Sequence, residues 1–152
     1  MLCAQRILLL ICLCLTVLVC SAQTTQRSLL LVTGSNYELG PVTNTELRKV
    51  FLGIPVTREN VRLKPLLNFT DPRATSIFLQ QVIFMSERDY RRQLVLRVFR
   101  FGDQSPAEYE DIDLLVEDLR RMPGSLTYMW SDQFERYEGL GSLGVIWTSS
   151  GG

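Results

Sequence analysis

Apolar and polar residues change period several times along this chain, and each change marks an element. Leu29-Leu30-Leu31-Val32-Thr33 is a short apolar run ending in Gly34-Ser35-Asn36, the pattern of a buried strand feeding a loop. Thr43-Asn44-Thr45-Glu46 supplies a polar cap followed by an acid. Leu47, Val50, Phe51 and Ile54 then recur at helical spacing until Gly53-Ile54-Pro55 stops the helix. Val61–Leu67 alternates and then turns continuously apolar, a second strand in which Pro65, lacking an N–H, belongs at an edge or a strand end. Asp71-Pro72 is an N-cap followed by a first-position proline. Behind it Ala74, Ile77, Phe78, Val82 and Met85 form one stripe, and Leu79 and Ile83 make a second face apolar, so this helix is expected to be buried on more than one side.

Ser86-Glu87-Arg88-Asp89 opens another helix, with Tyr90, Leu94, Val98 and Phe101 on one face. At about 100° per residue Arg97 falls within about 20° of Tyr90, inside that stripe, so it must pair with an acid, snorkel or meet a ligand. Gly102–Pro106 reads as a loop. Ile112, Leu115, Val116, Leu119 and Met122 give the clearest amphipathic helix, closed by Pro123-Gly124. Ser125–Trp130 and Leu143–Trp147 read as strands, with a turn at Gly139-Leu140-Gly141. The order β-α-β-α-α-α-β-β predicts an α/β domain with a mixed or parallel sheet flanked by helices.

Composition narrows the chemistry. All four cysteines, at 3, 12, 14 and 20, lie before Gln23, and the chain has no histidine. Arg6 followed by the apolar run Ile7–Val19 and by Cys20-Ser21-Ala22 has the form of a secretory leader, with cleavage expected after Ala22 and export to the periplasm. Lipid anchoring at Cys20 would need a small residue before it, where Val19 stands. The expected organisation is a leader over 1–22 and one domain over 23–152, with no stable membrane span once the leader is removed. The remaining 130 residues carry 15 Lys+Arg (16 less Arg6) against 16 Asp+Glu, a net charge of −1. They hold no disulfide scaffold, no Cys/His metal centre, no histidine-based triad and no basic excess to bind nucleic acid.

The charges are nonetheless segregated. Arg88, Arg91, Arg92, Arg97 and Arg100 precede Asp103, Glu108, Glu110, Asp111, Asp113, Glu117 and Asp118. Two solvated helix faces that attract each other, or a directional field for a partner, both fit. The acidic run lacks the glycine and closing glutamate of a calcium loop. Asn68-Phe69-Thr70 has the form of a glycosylation sequon. Trp130, Trp147, Tyr128 and Tyr137 fit a core or an exposed aromatic surface. Carboxylates are plentiful, but no spacing sets two around a cleft, so neither an enzyme nor a cofactor is expected.

Three segments share a family likeness. Thr45–Gly53 (TELRKVFLG) resembles the E-L-R-x-I-F-L-G helix of the phosphate-type periplasmic substrate-binding proteins of ABC transporters. Val98–Gly102 is similar to their V-F-x-G segment, and Leu114–Tyr128 to their L-L-x-x-V-x-x-x-P-G-x-I-G-Y. The likeness spans about Leu29–Trp130 and is to short, one-lobe members. It implies a single periplasmic-binding-protein-like lobe and a small phosphate-like oxyanion as ligand. In that family a Ser-Gly-Thr type loop offers backbone N–H groups to the anion at a helix start. The matching stretch here, Asn68–Ser76, has no glycine, puts Asp71 where phosphate would sit and has Pro72 without an N–H. A self-sufficient Asp71 cap is therefore favoured over an open site, although Arg73, Thr75 and Ser76 still offer side-chain donors.

The candidate ligand residues are Ser35, Asn36, Thr70, Arg73, Thr75 and Ser76. One lobe alone leaves any ligand half exposed, which weakens affinity unless a second chain closes over it. Two functions follow: an exported solute-binding-like protein with weak or vestigial oxyanion binding, or a non-catalytic envelope module that binds a protein partner or a second copy of itself.

Overall fold

The computed structural model describes residues 26–34, 39–102 and 104–149. The leader over 1–22, Ser35, Asn36 and Asp103 lie outside the described residues. Five strands form a mixed sheet in the order β5-β4-β6-β1-β7: β1 (Ser28–Gly34), β4 (Lys64–Asn68), β5 (Ala107–Tyr109), β6 (Ser125–Trp130) and β7 (Leu140–Thr148). β4 runs parallel to β5 and β6, whereas β1 runs antiparallel to both β6 and β7. This is the mixed α/β sheet the element order predicts.

Period-2 alternation along β6 divides the core in two. Leu126, Tyr128 and Trp130 face Phe51, Phe78, Ile83, Tyr90 and Leu94 on one side of the sheet. Met129 faces Leu115, Val116 and Leu119 on the other. Helices α1 (Asn44–Phe51), α2 (Pro72–Phe78) and α3 (Glu87–Phe101) thus cover one face, and α4 (Ile112–Arg121) covers the other. A four-residue α5 (Ser131–Phe134) follows β6. Among the described residues no helix is long and apolar enough to cross a membrane.

The caps read from the sequence form. Thr43 and Glu46 make a reciprocal capping box, and Glu46 also takes two hydrogen bonds from Arg58, at 3.1 and 2.9 Å. The Arg58 and Thr43 hydrogen bonds hold the Glu46 carboxyl at about 2. Ser86 caps α3 through Asp89 N–H.

Four features depart from the sequence reading. The strand expected over 61–67 is broken at Leu63: Val61-Arg62 is β3, which pairs with β2 (Thr57-Arg58) as a hairpin. Its two turn residues, Glu59 and Asn60, both have positive φ, the geometry of a mirror-image two-residue turn, and glutamate gives no sequence signal for it. Residues 79–83 continue α2 as a π-helical turn, ended by Phe84 in the left-handed region. β7 begins at Leu140, inside the expected turn, and Ala107–Tyr109, assigned to no element by the sequence pattern, forms edge strand β5. Pro65 sits at the start of β4, where β6 is its only neighbour, because β5 pairs from Leu66 onward. That is the strand-end position its missing N–H requires.

Arg97 reaches back to the end of α1 and along its own helix. Its Nη2 donates to the Gly53 carbonyl at 3.3 Å, and its guanidinium lies 5.0 Å from the Phe101 ring centroid. A carbonyl at a helix C-terminus carries partial negative charge, so α1 and a ring face both attract the cation. The basic and acidic runs meet where Arg91 of α3 pairs with Glu108 of β5 at 3.3 Å, while α4 itself packs on the other side of the sheet.

Candidate functional site

The C-terminal ends of β4 and β6 and the start of β1 meet at one corner of the sheet, and most of the candidate residues belong there. Asp71 follows β4 and caps α2. Its Oδ1 accepts from Arg73 N–H at 2.8 Å and Ala74 N–H at 3.2 Å. Its Oδ2 accepts from the Trp130 indole N–H at 2.7 Å. Arg27 stands 4.0 Å from the same oxygen, lies 4.3 Å above the Trp130 ring and is held at 2.7 Å by Asp132. Burial works to raise the Asp71 pKa. The Trp130, Ala74 and Arg73 hydrogen bonds and the Arg27 charge outweigh it, leaving the carboxyl below the usual carboxylate range. An ionised carboxylate with these donors occupied is an acceptor only and has no proton to give.

Asn68, buried beside it, ties three elements together. Its side-chain nitrogen donates to the Tyr128 carbonyl at 2.8 Å, and its side-chain oxygen accepts from the Thr70 backbone N–H at 3.1 Å and the Thr70 hydroxyl at 2.7 Å. Thr75, also buried, donates to the Asn68 carbonyl at 2.8 Å and receives the Tyr128 hydroxyl at 3.3 Å. Burial pushes the Tyr128 phenol well above its ordinary value, so it stays a neutral donor.

The structure therefore brings Thr70, Arg73, Thr75 and Ser76 to one corner but engages them differently. Thr70 and Thr75 spend their hydroxyls inside the Asn68 network. Ser76 is exposed and accepts from Gln80 at 3.4 Å. Arg73 is exposed, and its guanidinium makes no hydrogen bond or ion pair among the described residues. Ser35 and Asn36 lie outside the described residues. Gly34, just before them, pairs with Leu140 where β4 and β6 begin, the end of the sheet opposite Thr70 and Arg73, because β1 runs antiparallel to β6.

Asn68, Tyr128, Trp130 and Arg27 are the residues that sequence reasoning left out of this corner. The sequon drew attention to Asn68 for its surface chemistry, yet its amide nitrogen is buried and bonded, so the folded chain presents no glycan acceptor there.

A second feature lies at the other end of the same strands. A cleft of about 540 Å³ is walled by Val50, Ile54, Pro55, Pro65 and Met122, with Lys64 on its lining. Tyr109 donates to Asp118 at 2.6 Å within it; burial and this hydrogen bond push the phenol up to about 12.

Comparisons with known proteins bear on the fold. No family pattern and no curated protein matches the sequence. Among solved structures, the crystal structure of PstS from Borrelia burgdorferi superimposes with a TM-score of 0.53 at 16% identity, over 77% of this chain and 46% of that one. The chain thus spans about half the length of that protein. At this identity what is shared is the fold: an α/β lobe with a mixed sheet flanked by helices.

Proposed function

We propose that this chain is a single solute-binding-like lobe, exported and non-catalytic, that acts as an envelope protein-interaction module and retains at most vestigial affinity for a phosphate-like oxyanion. On this reading residues 1–22 are the leader and 23–152 the working domain. The observation that carries it is Asp71: the two N–H groups that open α2 and the Trp130 indole already converge on its carboxylate. A phosphate would have to displace a negatively charged side chain that is covalently held in place. Pro72 offers no further N–H, and Thr70 and Thr75 are committed elsewhere. Among the described candidate residues, the exposed Arg73 and Ser76 remain to hold an oxyanion, from one side and in water, where single contacts are weak.

Thermal melting with and without phosphate tests this. An anion present at a hundred dissociation constants contributes about 2.7 kcal/mol, roughly 10 °C for a domain of this size. The expected result is a melting temperature that phosphate and sulfate leave unmoved relative to chloride at equal ionic strength. A phosphate-dependent rise of several degrees, abolished by Arg73→Ala, would instead establish an oxyanion receptor.

A further inference from the structure

The two helices richest in charge turn unlike surfaces outward. α3 buries Tyr90 and Leu94, yet Val95 is 52%, Phe99 84% and Phe101 65% exposed. Arg88, Arg92, Val95 and Phe99 recur at four- and three-residue steps, so they share the face directed away from the core. Arg92 makes no ion pair among the described residues, and Arg88 reaches only its neighbour Asp89, at 4.0 Å. α4 buries Leu115, Val116 and Leu119 and turns out Leu114, 57% exposed, between Asp113 and Glu117. One outer face thus carries Arg88 and Arg92 beside an apolar patch, and the other carries Asp113 and Glu117 beside Leu114, with Arg121 on the same side held by Asp118.

Inside one molecule these faces cannot meet, because the sheet separates them. We propose that they meet between molecules: α3 of one copy docks on α4 of the next, Phe99 and Val95 against Leu114, with Arg88 and Arg92 against Asp113 and Glu117. A second copy supplies both the opposite charge and the apolar contact that the α3 face lacks a partner for. The interface is heterologous, and its halves point to opposite sides of the sheet, so copies add end to end without closing a ring of two. This names the partner of the interaction module proposed above. The phosphate melt tests that reading separately, so either can fail while the other stands.

Sedimentation equilibrium of the purified chain decides it, with two surface variants: Arg92→Glu with Phe99→Glu on α3, and Leu114→Lys with Glu117→Lys on α4. Wild type is expected to exceed twice the protomer mass at roughly millimolar chain, the regime of a small, weak contact. It should return toward the monomer in about 1 M salt, where the screening length is about 3 Å. Each variant alone should stay monomeric, with an unchanged circular dichroism spectrum. Their equimolar mixture should form a one-to-one dimer and nothing larger, because only one intact pair of faces remains. A monomeric wild type at low salt overturns the proposal. So does an α4 variant that still associates like wild type, which would mean that α3 faces pair with each other. A wild type that stays monomeric alone but cosediments with phosphatidylglycerol vesicles through the α3 face would assign that face to an anionic bilayer instead.

Discussion

The two ends of strand β4 put polar groups to opposite uses. At its C-terminal end Asn68, Thr70, Asp71, Thr75, Tyr128 and Trp130 bond to one another, with donor matched to acceptor across β4, α2, β6 and the loop between the first two. At its N-terminal end Lys64 and Pro65 border an open cleft of about 540 Å³. The first end resembles a ligand site whose ligand has become part of the chain, since Asp71 supplies the anion and the cap together. The second has room, and sets Arg62, Lys64, Gln104, Ser105 and Asp118 beside its apolar wall. Polarity at a strand end is therefore a poor guide to binding until the destination of each donor is known.

Unequal stability costs should expose this difference. Trp130→Ala removes a fully buried indole, the Asp71 hydrogen bond and the surface under Arg27. Urea denaturation is expected to show a loss of about 3–5 kcal/mol, and a loss under 1 kcal/mol would mean the corner is not part of the core. Asn68→Ala strands the Tyr128 carbonyl and the Thr70 donors and should cost about 2–4 kcal/mol.

Asp71→Asn keeps one capping oxygen but turns an amide NH2 toward the Trp130 indole N–H, leaving that donor unmatched, so at neutral pH it should cost about 1–3 kcal/mol. Its signature is the pH profile. The Asp71 pKa is lower in the folded chain than in the unfolded chain. Its stabilisation is therefore complete above the unfolded value of about 3.9 and is lost as pH falls through the folded value. Wild type should lose stability over that acid window, and Asp71→Asn should lose less; coincident profiles would show that the carboxylate is not held as described. Lys64→Ala at the open end should change stability by no more than about 0.5 kcal/mol.

Much of the fold was legible because its signals are local. Thr43, Asp71, Ser86 and the stripes of α1, α2 and α4 announce helices without knowledge of their neighbours. Asp71 was readable as a self-sufficient cap for the same reason. The Glu59-Asn60 turn and edge strand β5 were not, since a turn with no glycine and a three-residue strand carry almost no pattern. The corner was half legible. Asp71 and Thr75 stand four residues apart in sequence, but Trp130 reaches Asp71 across 59 residues and Tyr128 reaches Thr75 across 53. Only the parallel pairing of β4 with β6 brings them together. The antiparallel course of β1, which sends Gly34 to the far end, has no local signature at all.

The buried Asn68 amide carries one more consequence, for biogenesis. In a secretory route that attaches glycans to Asn-X-Thr, transfer to this nitrogen competes with closure of β4 against β6. A chain modified before closure would have to leave its sheet open around the sugar. Correct maturation there depends on folding faster than the transferase acts, so a glycosylating host should yield two populations, one bare and compact, the other modified and retained by quality control.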